Sequence, residues 1–462
     1  MSARMRKLTT VAAAVLLAGC SFIPKYERPA APVAETFPYP SARDGTPAAQ
    51  LPWETFFADA RLRGLITTAL QNNRDLRVAV LNIAQARAQY DIRNADRYPT
   101  VGATASASRA PSVINGREAT TYQATVGLSA WEIDFFGRIA SLSEAALAQY
   151  LATEEGRKAA QITLVSSVAN FWLNLAADEE LLTLTRETLA TREETLRLTR
   201  LRFENGVTSE IDFRLAQSLT ESSRAALAQT ERQRANDINA LALLVGQPIP
   251  PQFTAGVNTL DVSFPDVPAG VPSDVLVRRP DVRQAEEQLV AANANIGAAR
   301  AAFFPRITLT AGVGTASSEL TGLFKGGSWG YTVVPSIAQT IFDAGRNRAT
   351  LAATEVSRDI AVAQYERAIQ QAFREVADAL AGRATYSEQV RALGAVVDAE
   401  SVRFRLARLR YESGVASYLD LLDAQRSLFT AQTTLVQSRL QRLQNQVALY
   451  RSLGGGWTET TP

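Results

Sequence analysis

The side chains that could do chemistry in this sequence are concentrated near position 420. Leu419, Asp423 and Arg426 stand at positions i, i+4 and i+7, and residues with that spacing share one face of a helix. Asp420 adds a second carboxylate next to Leu419. Carboxylate oxygens are ligands that hard divalent cations prefer, and a nearby guanidinium offsets repulsion between like charges. The pattern is compatible with a cation ring of Asp420 and Asp423, or with an ordinary solvated helix face.

These residues lie in a stretch that occurs twice. Residues 409–426 read LRYESGVASYLDLLDAQR, and residues 201–217 read LRFENGVTSEIDFRLAQ, about 208 positions earlier. Each copy contains a helix end, a glycine, and a new helix start with a serine N-cap and an acidic residue in its first turn. A repeat of this length indicates two tandem halves. The first half has uncharged side chains at the positions that match Leu419, Asp423 and Arg426, namely Ile211, Leu215 and Ser218.

The composition excludes several classes of function. The chain has 462 residues, no His and a single Cys, which removes His-based catalysis, most zinc sites and any disulfide framework. A net charge of +2 gives no indication of a nucleic-acid partner. We find no catalytic triad, phosphate loop or cofactor motif. The sequence therefore predicts a protein that is not an enzyme and holds no cofactor.

The N-terminus has the pattern of a secretory signal. Arg4, Arg6 and Lys7 precede an apolar run over 8–17, and small residues lead to Cys20, which predicts a signal peptide over 1–19. The run is too short for a membrane-spanning helix. An ordinary signal with a chance cysteine is the alternative. Because the only cysteine directly follows Leu-Ala-Gly, we expect Cys20 to be the lipidated first residue of a bacterial lipoprotein, and Ser21 after it favours the outer membrane.

Prolines and hydrophobic periodicity divide the rest of the chain. A proline-rich tether over 20–55 leads into a first repeat over 56–246. This repeat begins with a helix. Period-2 alternation then predicts a β-hairpin at about 100–133, followed by a long helix at about 137–204, a turn at 205–208 and a helix over 209–246. Each long helix of about 65 residues would extend for about 100 Å.

The second half repeats this order after a linker over 247–280. The second repeat, over 281–455, begins with a helix and continues with a β-hairpin at about 306–341 and a long helix at about 345–412. A turn at 413–416, a helix over 417–453 and a tail over 456–462 follow. Pro335 interrupts the last predicted strand, since proline cannot donate to a ladder. We expect a bulge there or a partner that needs no donor.

The strands suggest how copies of the chain assemble. Strands of about 10 residues with one apolar face resemble those of outer-membrane barrels, with a soluble sandwich as the alternative. Four strands cannot close a barrel, and an open edge cannot exist in lipid. The barrel must then be shared: two chains would give about eight strands and a filled lumen, and three would give about twelve and a channel. Alanine-rich helices, apolar on more than one side, suit a ring around a hollow axis.

Particular motifs carry a family resemblance over nearly the whole mature chain. The sequence resembles the TolC-type outer membrane factors, in the lipoprotein branch of RND multidrug efflux systems (OprM-like, NodT family). The matching motifs are LAGC at 17–20, WEIDFFGR at 131–138, RRPD at 278–281, AAFFP at 301–305, FDAGR at 342–346, LLDAQR at 421–426 and LGGGW at 453–457. The resemblance implies a mixed α/β membrane protein and a homotrimer, with a shared twelve-stranded outer-membrane β-barrel, a long periplasmic α-helical barrel and an equatorial belt.

The resemblance also implies a function and its residues. Family members are passive ducts that export drugs and antibiotics from an inner-membrane RND transporter, through a periplasmic adaptor, across the outer membrane. The adaptor would dock at the two tip turns, and Leu419, Asp420, Asp423 and Arg426 would form a periplasmic gate. The tip residues are Gly206, Val207, Ser209, Gly414, Val415 and Ser417. Export of metal cations or proteins, or a trimeric structural stalk, are the alternatives.

We predict that mature protein begins at Cys20 and carries a diacylglyceryl group and an N-acyl chain. Acyl chains add membrane affinity of about 0.8 kcal/mol per buried methylene. Because a barrel would already anchor the trimer, Cys20→Ser should release little protein from the membrane. Mass spectrometry of the mature N-terminus tests the modification, and an unmodified Cys20 would contradict it.

Overall fold

The computed structural model describes residues 21–40, 46–111, 118–254, 256–270, 272 and 276–457, so the predicted signal peptide and Cys20 lie outside the described residues. Long helices account for most of these residues. The helices are α1 (Trp53–Phe56), α2 (Ala60–Asn72), α3 (Arg74–Ala95), α4 (Arg138–Glu204), α5 (Glu210–Val245), α6 (Pro280–Ala301), α7 (Arg346–Glu412) and α8 (Tyr418–Ser452). The strands are β1 (Val101–Pro111), β2 (Glu118–Glu132), β3 (Arg306–Ser317) and β4 (Trp329–Ala338).

The chain forms two compact units, each assembled from three separate segments. The first comprises the described parts of Met1–Ala30, Leu81–Glu154 and Gln284–Glu366, and it contains the four strands. The second comprises the described parts of Ala31–Val80, Glu155–Arg283 and Arg367–Pro462. Helices α4 and α7 have 67 residues each and contain no proline that would interrupt their backbone hydrogen bonds.

The sheet of the first unit joins the two repeats of the sequence. Its strand order is β1-β2-β3-β4, and all three neighbouring pairs are antiparallel. Two of the pairs are hairpins within one repeat, whereas β2 and β3 come from different repeats. The outer strands β1 and β4 therefore pair on one side only within this chain.

Glycines allow β2 and β3 to approach closely. Gly127 pairs with Gly312, and a Cβ atom at Gly127 would lie 2.2 Å from the carbonyl oxygen of Ala311. A Cβ atom at Gly314 would lie 2.4 Å from the carbonyl oxygen of Ala124. Any side chain at Gly127 or Gly314 would thus displace the backbone of the opposite strand.

The irregularity of the sheet lies in β2 rather than at Pro335. The ladder between β3 and β4 runs through the pair Leu309–Pro335 without a register shift, so the expected bulge at Pro335 is wrong. The other expectation, a partner that needs no donor at this position, applies to the side of β4 that is unpaired within this chain. The register shift instead falls between Leu128 and Trp131, where Ala130 has a φ of +50° and donates its N–H to Thr310 Oγ1 at 3.0 Å.

Aspartates fix the short turns that lead from strand to long helix. Asp134 accepts a hydrogen bond from the N–H of Ala140 at 2.7 Å, near the start of α4. Asp343 accepts from the N–H groups of Gly345 and Asn347, both at 2.9 Å, at the start of α7. A side-chain acceptor satisfies the free N–H groups of a helix N-terminus and favours its positive dipole end. These bonds explain why an aspartate precedes Gly-Arg in both motifs.

The segment over 21–30 is extended, as its prolines predict, and it is packed along α6. Glu286 accepts hydrogen bonds from Tyr26 at 3.0 Å and from Arg28 at 2.7 and 3.1 Å. Asn293 donates to the carbonyl oxygen of Pro24 at 2.7 Å. The ring of Phe22 stacks on Phe304 at a centroid distance of 4.6 Å. No pattern in the sequence indicates this packing.

Aromatic rings pack together in the core of the second unit, and a buried arginine forms ion pairs there. Phe56 stacks on Tyr450 at 3.9 Å between ring centroids, and the Tyr450 hydroxyl donates to the carbonyl oxygen of Leu51 at 2.6 Å. Arg279, whose side chain is 8% exposed, pairs with Asp281 at 2.7 Å and with Glu375 at 2.8 Å. Its Nη1 also donates to the carbonyl oxygen of Ser452 at 2.9 Å, which caps the last turn of α8. Arg279 thus joins three parts of the unit.

We predict that Glu286→Ala loosens residues 21–30. The substitution removes the acceptor of both Tyr26 and Arg28, and hydrogen bonds to charged groups contribute about 1.5–3 kcal/mol when shielded from water. Because Arg28 is partly exposed, we expect trypsin to cut after Lys25 several-fold to about tenfold faster. Mass spectrometry of limited digests measures this rate. Glu27→Ala, which breaks the exposed pair with Lys25, is the control, and equal rates in both variants would contradict the role of Glu286.

Candidate functional site at the helix tips

The two tip turns have the same backbone structure. At Gly206, φ is +74°, and the N–H groups of Gly206 and Val207 donate to the carbonyl oxygens of Phe203 and Arg202 at 2.9 and 2.8 Å. This is a Schellman motif, which ends a helix with a residue in the left-handed conformation. In the second repeat, Gly414 has a φ of +73°, and the same pair of bonds runs from Gly414 and Val415 to Tyr411 and Arg410.

A serine begins the helix that follows each turn. The side chain of Ser209 accepts from the N–H of Asp212 at 3.2 Å, and that of Ser417 accepts from the N–H of Asp420 at 3.2 Å. The valine of each turn points into solvent: Val207 is 73% exposed and Val415 is 69% exposed. Each tip therefore presents a rigid backbone turn with one apolar side chain.

Asp420 is the acidic residue that the sequence predicts in the first turn of α8, and its contacts complete the helix start. One of its carboxylate oxygens accepts from the N–H of Ser417 at 3.1 Å and from the Ser417 hydroxyl at 2.9 Å. Together with the bond from the Asp420 N–H to Ser417, these contacts form a capping box at the start of α8. In this arrangement the Asp420 carboxylate faces its own helix cap.

Asp423 lies between two arginines. It forms ion pairs with Arg403 of α7 and, at 3.3 Å, with Arg426 of α8. The helical spacing in the sequence indicates Arg426 as a neighbour of Asp423 but does not indicate Arg403. Leu419 is 66% exposed and lines a surface groove together with Arg403, Arg410, Asp420 and Asp423. The structure thus places Leu419, Asp420 and Asp423 along one groove and gives Asp423 two cationic neighbours.

A signal for Arg403 is present in the repeat. Arg403 and Asp423 correspond to Thr195 and Leu215 of the first repeat, so both members of this ion pair are uncharged there. Two positions that change from uncharged to opposite charges between repeats are candidates for contact. Comparing the repeats position by position across their whole length would have identified this pair.

Tyrosines connect the helix pairs of the two repeats behind the tips. Arg202 of α4 donates to the Tyr411 hydroxyl of α7 at 2.7 Å. Tyr418 packs in an apolar cluster with Ala216, Leu421 and Leu422, and it hydrogen-bonds to Thr199 of α4. Burial raises the pKa of Tyr418 to about 12, so the phenol is neutral at physiological pH. The Tyr411 contact joins α7 to α4, and the Tyr418 contact joins α8 to α4, both next to the groove.

Two features of the described residues bear on metal binding and membrane spanning. Among them, no group of three or more His, Cys, Asp and Glu side chains is placed to hold a metal ion. None of the helices in the described ranges is long and apolar enough to cross a membrane. A cation ring of Asp420 and Asp423 would therefore need residues from more than one copy of the chain.

Comparisons with known proteins agree with this architecture. The family model for outer membrane efflux proteins matches residues 65–247 and 271–455. The chain is 46% identical to the antibiotic efflux pump outer membrane protein ArpC of Pseudomonas putida, over 98% of this chain and 96% of that protein. It is also 46% identical to the solvent efflux pump outer membrane protein SrpC of Pseudomonas putida, over 96% and 97% of the two chains.

A solved structure gives the same result for the fold. The structure is similar to that of the open state of the MtrE outer membrane channel of Neisseria gonorrhoeae, with a TM-score of 0.87 and 42% identity, over 95% of this chain and 98% of that one. The strand pairing, the tandem long helices and the matches over nearly the whole chain lead to one conclusion. The chain belongs to the outer membrane efflux protein family and is the outer-membrane channel of an efflux pump.

Proposed function

We propose that three copies of this chain form the outer-membrane duct of a tripartite RND-type efflux pump. The duct receives its cargo from an inner-membrane transporter and a periplasmic adaptor and releases it outside the cell. It is passive, catalyses no reaction and holds no cofactor, apart from the lipid that we expect on Cys20. Antibiotics and organic solvents are the proposed cargo, because the similar proteins ArpC and SrpC are named for them.

The observation that carries this proposal is the pair of open sheet edges. Strands β1 and β4 each have one unpaired side within this chain. In the hydrocarbon of a membrane, each unsatisfied backbone group costs several kcal/mol, so neighbouring copies must pair with these edges. Three copies would supply about twelve strands and an open lumen, whereas two would supply about eight and a lumen filled by side chains. Three copies therefore suit a duct.

The adaptor is proposed to dock at the tip turns. Gly206, Val207 and Ser209 in the first repeat, and Gly414, Val415 and Ser417 in the second, present nearly identical backbone turns with exposed valines. Helical hairpins of a partner could pack against these turns with apolar contacts and hydrogen bonds. The Schellman geometry supports the proposal because it holds each valine in one position without further contacts.

The gate is proposed to consist of Leu419, Asp423 and Arg426, with Asp420 beside them. Three-fold symmetry would bring three copies of each side chain towards the axis. Arg403 and Arg426 offset the repulsion between the three Asp423 carboxylates. The exposed Leu419 side chains would form an apolar ring that excludes water when the helices converge. Asp420 contributes negative charge from the helix cap.

We predict that the trimer is obligatory. Native mass spectrometry or chemical crosslinking in mild detergent should find three chains and no stable monomer, because a monomer would leave the edges of β1 and β4 unpaired in the apolar phase. A folded monomer with the full strand content, measured by circular dichroism, would contradict the shared barrel.

We predict a channel of low conductance in planar bilayers that prefers cations and is blocked by divalent cations from the periplasmic side. Asp420→Asn combined with Asp423→Asn should abolish the block, since asparagine keeps the hydrogen-bonding shape but removes the charge. Arg403→Ala with Arg426→Ala should loosen closure and raise the conductance, because it leaves Asp423 without either cation. Single-channel currents measure both effects.

The matched control is Asp398→Asn, which makes the same chemical change at an exposed position of α7 outside the groove. It should leave the conductance and the block unchanged. A double asparagine variant that is blocked as strongly as the parent would contradict the assignment of these aspartates to the gate. Failure of the parent to form any channel would contradict the duct and favour a structural stalk.

A further inference from the structure

Two buried aspartates lie in the second unit, away from the tips. Asp178 of α4 and Asp237 of α5 are each 7% exposed, and their side chains lie within hydrogen-bonding reach of each other. The proposed gate and docking turns use neither residue. The pair connects the two helices that meet at the Gly206 turn, at a point well back from that turn.

A hydrogen bond between two carboxyl groups requires a proton. An ionised carboxylate has only acceptor atoms, so one of the two groups must be protonated for the bond to form. Two carboxylates that share a buried site cannot both ionise without strong repulsion, because little water is present to screen them. The burial of both carboxyl groups and the unpaired Oδ2 of Asp178 therefore favour a pair that holds one proton.

The neighbouring cations that the structure describes pair with other carboxylates. Gln233 donates to Asp237 Oδ2 at 3.3 Å, and Asp178 Oδ2 is buried and has no hydrogen-bond partner among the described residues. A neighbouring cation, Arg234 of α5, donates through Nε to Glu179 Oε1 of α4 at 2.5 Å. On the side of α8, Arg439 is paired with Glu180 at 3.1 Å.

We propose that Asp178 and Asp237 share one proton, and that this proton fastens α4 to α5 as a pH-sensitive lock in the helical part of the duct. With the proton present, the protonated carboxyl group of one aspartate donates a hydrogen bond to the carboxylate of the other, and this bond joins the two helices. When the proton leaves, two negative charges face each other in a buried site and push the helices apart. The contact between α4 and α5 is therefore held in acid and weakens as the pH rises.

The direction of the pH dependence follows from linkage. Burial, followed by the hydrogen bond and the charge of Asp237 and by Glu179, raises the pKa of Asp178 from 3.8 to about 7, and Arg234 opposes this rise. The folded protein therefore holds a proton that the unfolded chain releases near pH 3.8. The stability due to this proton is fully present below the unfolded pKa, declines as the pH rises, and is lost above about pH 7.

The test is thermal unfolding of the full-length protein in detergent, followed by circular dichroism at several pH values. Asp178→Asn keeps the shape and can donate to Asp237 at any pH, so it removes the need for the proton. Relative to this variant, the parent should lose stability by up to about tenfold in the unfolding equilibrium per pH unit between about pH 5 and 7, and no further above that range. The variant should therefore melt at a higher temperature than the parent at alkaline pH.

The matched control is again Asp398→Asn, an exposed aspartate-to-asparagine change that should follow the parent at every pH. Equal pH dependence in the parent and in Asp178→Asn would overturn the proposal. So would a parent whose stability at alkaline pH is restored by calcium chloride, since the pair would then hold a cation.

A second measurement keeps the proposal testable if Asp178→Asn does not fold. Infrared spectroscopy of the parent should show the carbonyl stretch of a protonated carboxylic acid at mildly acidic pH, and this band should disappear at alkaline pH. Asp237→Asn should lack the band. A parent without the band at mildly acidic pH would refute the shared proton.

Discussion

The fold depends on a constraint on backbone hydrogen bonds. A strand in hydrocarbon must have a partner on both sides, because no water is available to replace a missing hydrogen bond. This chain supplies partners on both sides for β2 and β3 but not for β1 and β4. The three-fold assembly that we propose supplies these missing strand partners from other copies of the chain.

The long helices have a related constraint. A helix of 67 residues cannot bury all its apolar surface against one short neighbour, so α4 and α7 need partners along their whole length. Within the second unit, Arg279 pairs with Glu375 of α7, and the hydrogen bond from Arg202 to Tyr411 joins α4 to α7, so these contacts provide some of the partners. The remaining apolar residues that are exposed in the single chain, such as Val402 and Leu406 on α7, are available to neighbouring copies.

Local patterns in the sequence predicted the elements, and long-range contacts were out of their reach. Alternation and proline positions were sufficient for the strands, the long helices and the tip turns, since each depends on residues close in sequence. Pro335 misled the prediction because its tolerance depends on which strand is an outer one. Arg403 was missed because its partner lies on the next helix and only a comparison of the two repeats indicates it. The packing of residues 21–30 on α6 was missed because its partners lie far along the chain. The Asp178–Asp237 pair was missed because helices that are apolar on several sides have no single face on which a buried charge stands out.

The two tips have the same backbone but differ in chemistry, and this has a consequence for mutation and selection. In a trimer, each codon determines the residue at three equivalent positions around the axis. The matching codon of the other repeat determines the residues at three further positions, which lie between the first three. A change at Asp423 therefore alters one set and leaves the set at Leu215 as it was. The two repeats can therefore differ in charge, as they do at Asp423 and Leu215. A single chain of identical repeats on a six-fold ring would have had to change all six positions at once.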